Sequence, residues 1–131
     1  MAKGSPVILD TCGLLWLATG SKKLSRFALD RIQASPFVYV SAISGFEIAL
    51  KVAKGKLKLP SPPLEWFTAI VEHHGLSVLP LELDICIAAA QLEPVHDDPC
   101  DRFIIAIAKA NGWAVITADE RFQEYGITTI N

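Results

Sequence analysis

Four acids in this chain stand where oxygen-ligand chemistry could be done. Asp10 follows the apolar run Val7-Ile8-Leu9, and Glu47 lies in an apolar helical stretch one turn before Lys51. Asp101 is the last of three aspartates in the five residues Asp97 to Asp101, and Asp119 follows the apolar run Trp113–Ile116 after Thr117-Ala118. Carboxylates brought together repel and raise one another's pKa, so such a group needs a cation or a capping role to be stable. Hard oxygen donors of this kind suit Mg²⁺ or Mn²⁺, and no His/Cys cluster in the sequence competes for a softer metal.

Each acid also has a plain structural explanation. Asp10 could cap a helix beginning near Cys12. Glu47 could do no more than pair with Lys51 in the favourable i, i+4 order, worth about 0.2–0.5 kcal/mol. Asp98 before Pro99 has the form of an N-cap, with Asp101 at the third position complementing the helix dipole, and Asp119 could cap the last helix. Four acids converging on one edge are harder to explain by capping alone, and a metal site is the better reading. Asp98 is then mainly a cap, Asp97 a solvated loop residue, and His96 a loop residue rather than a general base.

The elements that must hold these acids are short. Apolar runs at Val7–Leu9, Phe37–Val40, Leu76–Leu79, Trp113–Ile116 and Ile127–Ile130 read as five strands. Between them lie helical stretches: Gly13–Ala18, Leu24–Ala34, one capped by Ser41, one from Pro62 or Pro63 to His74, Asp84–Leu92, Pro99–Asn111 and Arg121–Tyr125. In the helix after Ser41 the apolar positions Ile43, Phe46, Leu50 and Ala53 follow helical spacing. Strands alternating with helices predict an α/β fold with a parallel sheet covered on both faces. Ligands in such sheets bind outside the carboxyl ends of the strands. Asp10 and Asp119 reach that edge if the first and fourth strands are neighbours, and Glu47 and Asp101 lie on helices that start there.

Composition narrows the class. At 131 residues and 51% hydrophobic, the chain reads as one globular domain over residues 1–131. No apolar stretch approaches the roughly 20 residues that span a bilayer, and Asp10 interrupts the N-terminal run, so a cytoplasmic protein is expected. Cys12, Cys86 and Cys100 are odd in number and form no CxxC, which fits buried free thiols. A net charge of −2 gives no general attraction for nucleic acid, so any such substrate needs a local patch. Lys51, Lys54, Lys56 and Lys58, with Lys22 and Lys23, are candidates, although such runs are commonly a solvated face.

Four segments, in order and spread over nearly the whole chain, carry a resemblance: VILDTCGLLWLA around Asp10, SAISGFEIALKVAKGKL around Glu47, HDDPCDRFIIAIAKANG around Asp101 and VITADERFQEYG around Asp119. They resemble PIN domains, in particular the VapC-like ribonuclease toxins of bacterial toxin–antitoxin pairs. The resemblance implies a three-layer α/β/α fold whose five-stranded parallel sheet has the order 3-2-1-4-5, and Mg²⁺- or Mn²⁺-dependent endonuclease activity on RNA. It implies Asp10 and Asp101 as direct metal ligands, with Glu47 and Asp119 binding directly or through water. It further implies a small antitoxin whose tail fills the acidic groove, and a homodimer. Cys100 is one departure, standing where the family commonly has an aromatic.

The expected chemistry is phosphodiester hydrolysis by a metal-activated water, with one or two ions. Ser44, Lys51, Arg102 and Thr117 are candidate substrate contacts, and Trp16, Leu17, Trp66 and Phe67 are candidates for partner surfaces or core. A phosphatase of the haloacid dehalogenase type needs a second Asp two positions after the first, where this chain has Cys12. A non-catalytic, metal-stabilised binding module of the same fold stays open.

Overall fold

Val7-Ile8-Leu9 offers water no polar side chain, and in the computed structural model, which describes residues 5–131, all three are fully buried as the central strand β1 (Val7–Leu9). It pairs in parallel with β2 (Val38–Ser41) on one side and β4 (Ala114–Ile116) on the other. Outside these lie β3 (Ser77–Leu79) and β5 (Thr129–Ile130), giving the all-parallel order β3-β2-β1-β4-β5. This is the predicted sheet. The first and fourth strands are neighbours, as the convergence of the acids requires.

Alternation along β1 divides the core in two. Val7 and Leu9 face α1 (Thr11–Thr19), α2 (Arg26–Ala34) and α4 (Pro63–His74), meeting Leu14, Leu17, Ala28, Ile32 and Trp66. Ile8 faces the other way with Val115, onto Ile104, Ile105 and Ile107 of α6 (Pro99–Asn111) and onto Phe122. α5 (Leu83–Gln91) packs beside α6 on that face, and α3 (Ala42–Ala53) closes the end of the sheet, placing Ile48 in one cluster and Ile43 in the other. Each such aliphatic side chain contributes roughly 1.5–3 kcal/mol of burial. The helices therefore need little help from intrinsic propensity.

Several expectations change in detail. α1 begins at Thr11 directly after its cap, and α2 begins at Arg26, behind the cap Ser25. The last helix is a 3-10 helix, Glu120–Tyr125, and the last strand shrinks to two residues. In α3 the buried stripe is Ile43, Ser44 and Ile48, while Phe46 and Leu50 of the predicted stripe are 58% and 39% exposed. Leu17 and Trp66 belong to the core, not to a partner surface, whereas Trp16 and Phe67 are half-buried. The cysteines are free as expected, but Cys12 is exposed and the other two half-buried.

Gly13 shows how closely α1 sits against the sheet. A Cβ there would lie 2.8 Å from the Ile116 carbonyl oxygen and 3.0 Å from Asp10 Oδ1. Gly13→Ala is expected to lower the unfolding free energy by about 1–3 kcal/mol in urea titrations. Gly45→Ala, whose Cβ would meet only the Phe67 ring at 3.9 Å, is expected to raise it by about 0.5–1 kcal/mol.

Candidate metal centre

Asp10 leaves β1 and turns at once to cap α1, its Oδ1 accepting from the Gly13 N–H at 2.7 Å. Its own N–H donates to the Ile116 carbonyl at 3.2 Å, which ties it to the end of β4. Only 5% of the residue is exposed. Burial pushes its carboxyl up to about 6; the Glu47 and Asp119 charges add to this, while the Thr117 hydroxyl and the Gly13 N–H oppose it. Asp101, in the first turn of α6, is pushed up to about 7, again by burial first and then by Asp98, Asp10, Glu47 and Asp119. The four predicted acids thus lie within range of one another's charge.

Asp119 goes the other way. It caps the 3-10 helix through Arg121 N–H, and the Arg121 side chain donates from Nε to Oδ1 at 3.1 Å and from Nη2 to Oδ2 at 2.9 Å. Those bonds hold its carboxyl down at about 2 against the effect of partial burial. Glu47 pairs through Oε2 with Lys51 Nζ at 3.4 Å, while its Oε1 is buried with no hydrogen-bond partner. An unsatisfied buried oxygen costs about 1–3 kcal/mol, so it marks a place where a partner belongs.

The residue that sequence reasoning missed is His96. It is not a loop residue set apart from the acids: it is 1% exposed, and its Nε2 lies 2.9 Å from Asp119 Oδ2 and 3.0 Å from Asp101 Oδ2. His96, Asp101 and Asp119 each offer a ligand atom, all within 4.8 Å of one another. His96 lies in the loop before α6, as expected, and that loop brings its ring onto two of the acids. Asp119 stands 23 residues away from His96, and the only local sign was the placement of His96 immediately before the Asp-rich helix start.

Three predicted substrate contacts are occupied inside the protein. Arg102 donates to the carbonyls of Ala89, Ala90, Leu92, Glu93 and His96, so its guanidinium closes the C-terminal end of α5 instead of facing a phosphate. Ser44 is fully buried and accepts from the Thr11 hydroxyl at 2.9 Å. Thr117 is buried, with its Oγ1 accepting from Asp119 N–H at 3.0 Å. Lys51 is half-exposed and pairs with Glu47, the i, i+4 partnership that its spacing offered. Asp98 caps α6 as expected, accepting from Cys100 N–H at 2.9 Å and Asp101 N–H at 3.4 Å.

These residues fit a hard divalent cation. The donors are carboxylate oxygens, two of them strained by burial and like charge, and one further oxygen lacks a partner. A cavity of about 420 Å³, lined by Phe27, Asp30, Arg31 and Ile130 among others, lies elsewhere. There Asp30 pairs with Arg26 and Arg31 Nη1 donates to Ser5 and Ser35, while Arg31 Nη2 is buried without a hydrogen-bond partner. The acidic cluster is the candidate site.

Comparison with known proteins agrees with this geometry. The PIN domain family profile matches residues 7–127. Ribonuclease VapC22 of Mycobacterium tuberculosis is 30% identical over 120 residues, 91% of this chain and 91% of its own. Among solved structures, FitAB bound to an IR36 DNA fragment aligns with a TM-score of 0.68 at 21% identity, covering 95% of this chain and 94% of its own. VapBC2 from Rickettsia felis, bound to a DNA fragment from its promoter, aligns with a TM-score of 0.69 at 13% identity, covering 96% and 98%. At these identities the two structures speak for the fold.

Two predictions follow from the site. Asp10 and Asp101, raised to about 6 and about 7 from an ordinary 3.8, hold protons more tightly when folded than unfolded. In EDTA, stability is therefore expected to fall as pH rises from about 4 to about 7. Asp119, held at about 2, gives the opposite slope at lower pH, where stability is lost as pH falls from about 4 toward 2. Thermal melts should then show a maximum near the lower bound of the first window, and Mg²⁺ added at neutral pH should restore the lost stability; a flat Tm across that range in EDTA would contradict this reading. Arg102→Lys keeps the charge but cannot bridge five carbonyls, and should cost about 2 kcal/mol or more in urea unfolding.

Proposed function

Because the chain belongs to the PIN domain family, in its VapC-like branch, we propose that it is a metal-dependent endoribonuclease acting as the toxin of a toxin–antitoxin pair. Its relative from Mycobacterium tuberculosis is named a ribonuclease, which supports RNA as the substrate class. The observation that carries the reading is the Asp10, Glu47, Asp101 and Asp119 quartet at the carboxyl edge, with one Glu47 oxygen buried and unpartnered.

Mg²⁺, or Mn²⁺ in its place, held by Asp10 and Asp101 with Glu47 and Asp119 directly or through water, would supply a water of lowered pKa and positive charge for the phosphoryl oxygens. The chain's own part is to bring the carboxylates together and keep them ionised when the cation arrives. Arg121 does so for Asp119, through two side-chain hydrogen bonds. Burial at Asp10 does the reverse, so that carboxyl waits for its partner. Lys51 at the rim is the predicted substrate contact that remains able to meet a backbone phosphate.

The chain is proposed to work as one domain over residues 1–131, as a homodimer in the cytoplasm, held inactive by a small antitoxin. A toxin–antitoxin complex from Klebsiella pneumoniae with a chain of this fold supports the partner. Exposed Phe46 and Leu50 on α3 are better candidates for partner contact than buried Leu17 and Trp66. Among the described residues no helix is long and apolar enough to cross a membrane.

The purified chain is expected to cut structured RNA in Mg²⁺ and to stop in EDTA. Asp10→Asn and Asp101→Asn should each slow cutting by about 100-fold or more, the rate equivalent of the several kcal/mol a bound cation gives. Full cutting by both variants would sink the assignment. Metal-raised melting with no cleavage over a broad RNA panel would favour the non-catalytic binding module instead.

A further inference from the structure

His96 is held at each of its other polar atoms before its Nε2 reaches the acids. Its N–H donates to Tyr125 Oη at 2.8 Å, and Tyr125 Oη in turn donates to the Glu93 carbonyl at 2.7 Å. Its carbonyl accepts from Arg102 Nη1 at 2.8 Å. Its ring stands edge-on to Phe122, with centroids 5.8 Å apart and planes at 85°. Asp98 N–H donates to Nδ1 at 3.2 Å. A backbone N–H can only donate, so Nδ1 is the acceptor and the ring proton is on Nε2.

That assignment decides between two roles. As a metal ligand, Nε2 would have to be bare and the proton would sit on Nδ1. It would then face the Asp98 N–H at 3.2 Å, donor against donor, in the turn where Asp98 caps α6. As a donor, Nε2–H meets Asp119 Oδ2 at 2.9 Å and Asp101 Oδ2 at 3.0 Å, two carboxyl groups from different elements sharing one hydrogen. A shared donor eases their repulsion and fixes the rotation of both carboxylates.

We propose that His96 is a positioning residue: its Nε2–H holds Asp101 and Asp119 in the arrangement that receives the divalent cation, and it is not itself a ligand. The inference rests on the metal-site reading above and deepens it. Imidazole ligands in metal sites ordinarily direct their second nitrogen to an acceptor, and here the second nitrogen meets a donor.

Mn²⁺ alone, added to the full chain, serves as probe. Electron spin echo modulation of the Mn²⁺-loaded parent protein is expected to lack the ¹⁴N coupling of a coordinated imidazole; finding that coupling would overturn the proposal. Mn²⁺ affinity, from the free-ion electron paramagnetic resonance signal, is then compared for two variants with melting curves as a folding check. His96→Asn keeps an acceptor for Asp98 N–H but has no donor at the Nε2 position, and should weaken binding about 10–100-fold. His96→Gln places an N–H near the Nε2 position and should bind close to the parent. Parent-like affinity in His96→Asn, or an equal loss in both, would overturn the positioning role. Absence of Mn²⁺ binding by the parent would sink the metal site itself together with this inference. Should His96→Asn fail to fold, the nitrogen coupling of the parent still decides.

Discussion

The repulsion among desolvated carboxylates at the carboxyl edge is the constraint around which this structure is arranged. Asp10 is buried and Asp101 half-buried, where water screens them poorly, and neither would choose to ionise there alone. Part of the relief comes from the backbone. Asp10 caps α1, Asp119 caps the 3-10 helix, and Asp101 sits in the first turn of α6, so three of the four acids face helix N-termini with their unpaired N–H groups. A parallel sheet in the order seen here is what allows it, because every strand ends at the edge where a following helix begins. The remainder of the charge is left for a cation.

A second arrangement keeps that edge rigid. Arg102 draws the carbonyls at the end of α5 and that of His96 onto one guanidinium, while Tyr125 joins Glu93 to His96 from the 3-10 helix. Two successive helices and the 3-10 helix are fastened at the residue that touches two of the acids. The segment between α5 and α6, which has no regular structure of its own, is thereby tied to both helices and to the 3-10 helix.

Local signals carried most of this into view from the sequence. The apolar runs, the Asp-Thr and Asp-Pro caps and the Gly stops mark the elements, and the acids could be placed because each lies at an element boundary. What could not be read depends on partners far along the chain. His96 is defined by Asp119 and Tyr125, and Ser44 is turned inward by Thr11, 33 residues away. Arg102 looked like a phosphate contact because charge was its one legible property; its five acceptors exist only once α5 has ended beside α6. Phe46 and Leu50 followed the helical period correctly, yet α3 buries the adjacent stripe because it closes the end of the sheet instead of lying flat upon it.

The double use of carboxylates as caps has an evolutionary side. Asparagine caps a helix about as well as aspartate, its amide oxygen taking the same N–H, so at Asp10 the bond from Gly13 can survive the loss of the charge. A gene duplicate could then drop its chemistry through one codon change while keeping its fold, its surface and its partners. Such a copy would lose the part of the pH dependence that the buried Asp10 carboxyl gives, and its fold would stand without waiting for a cation there.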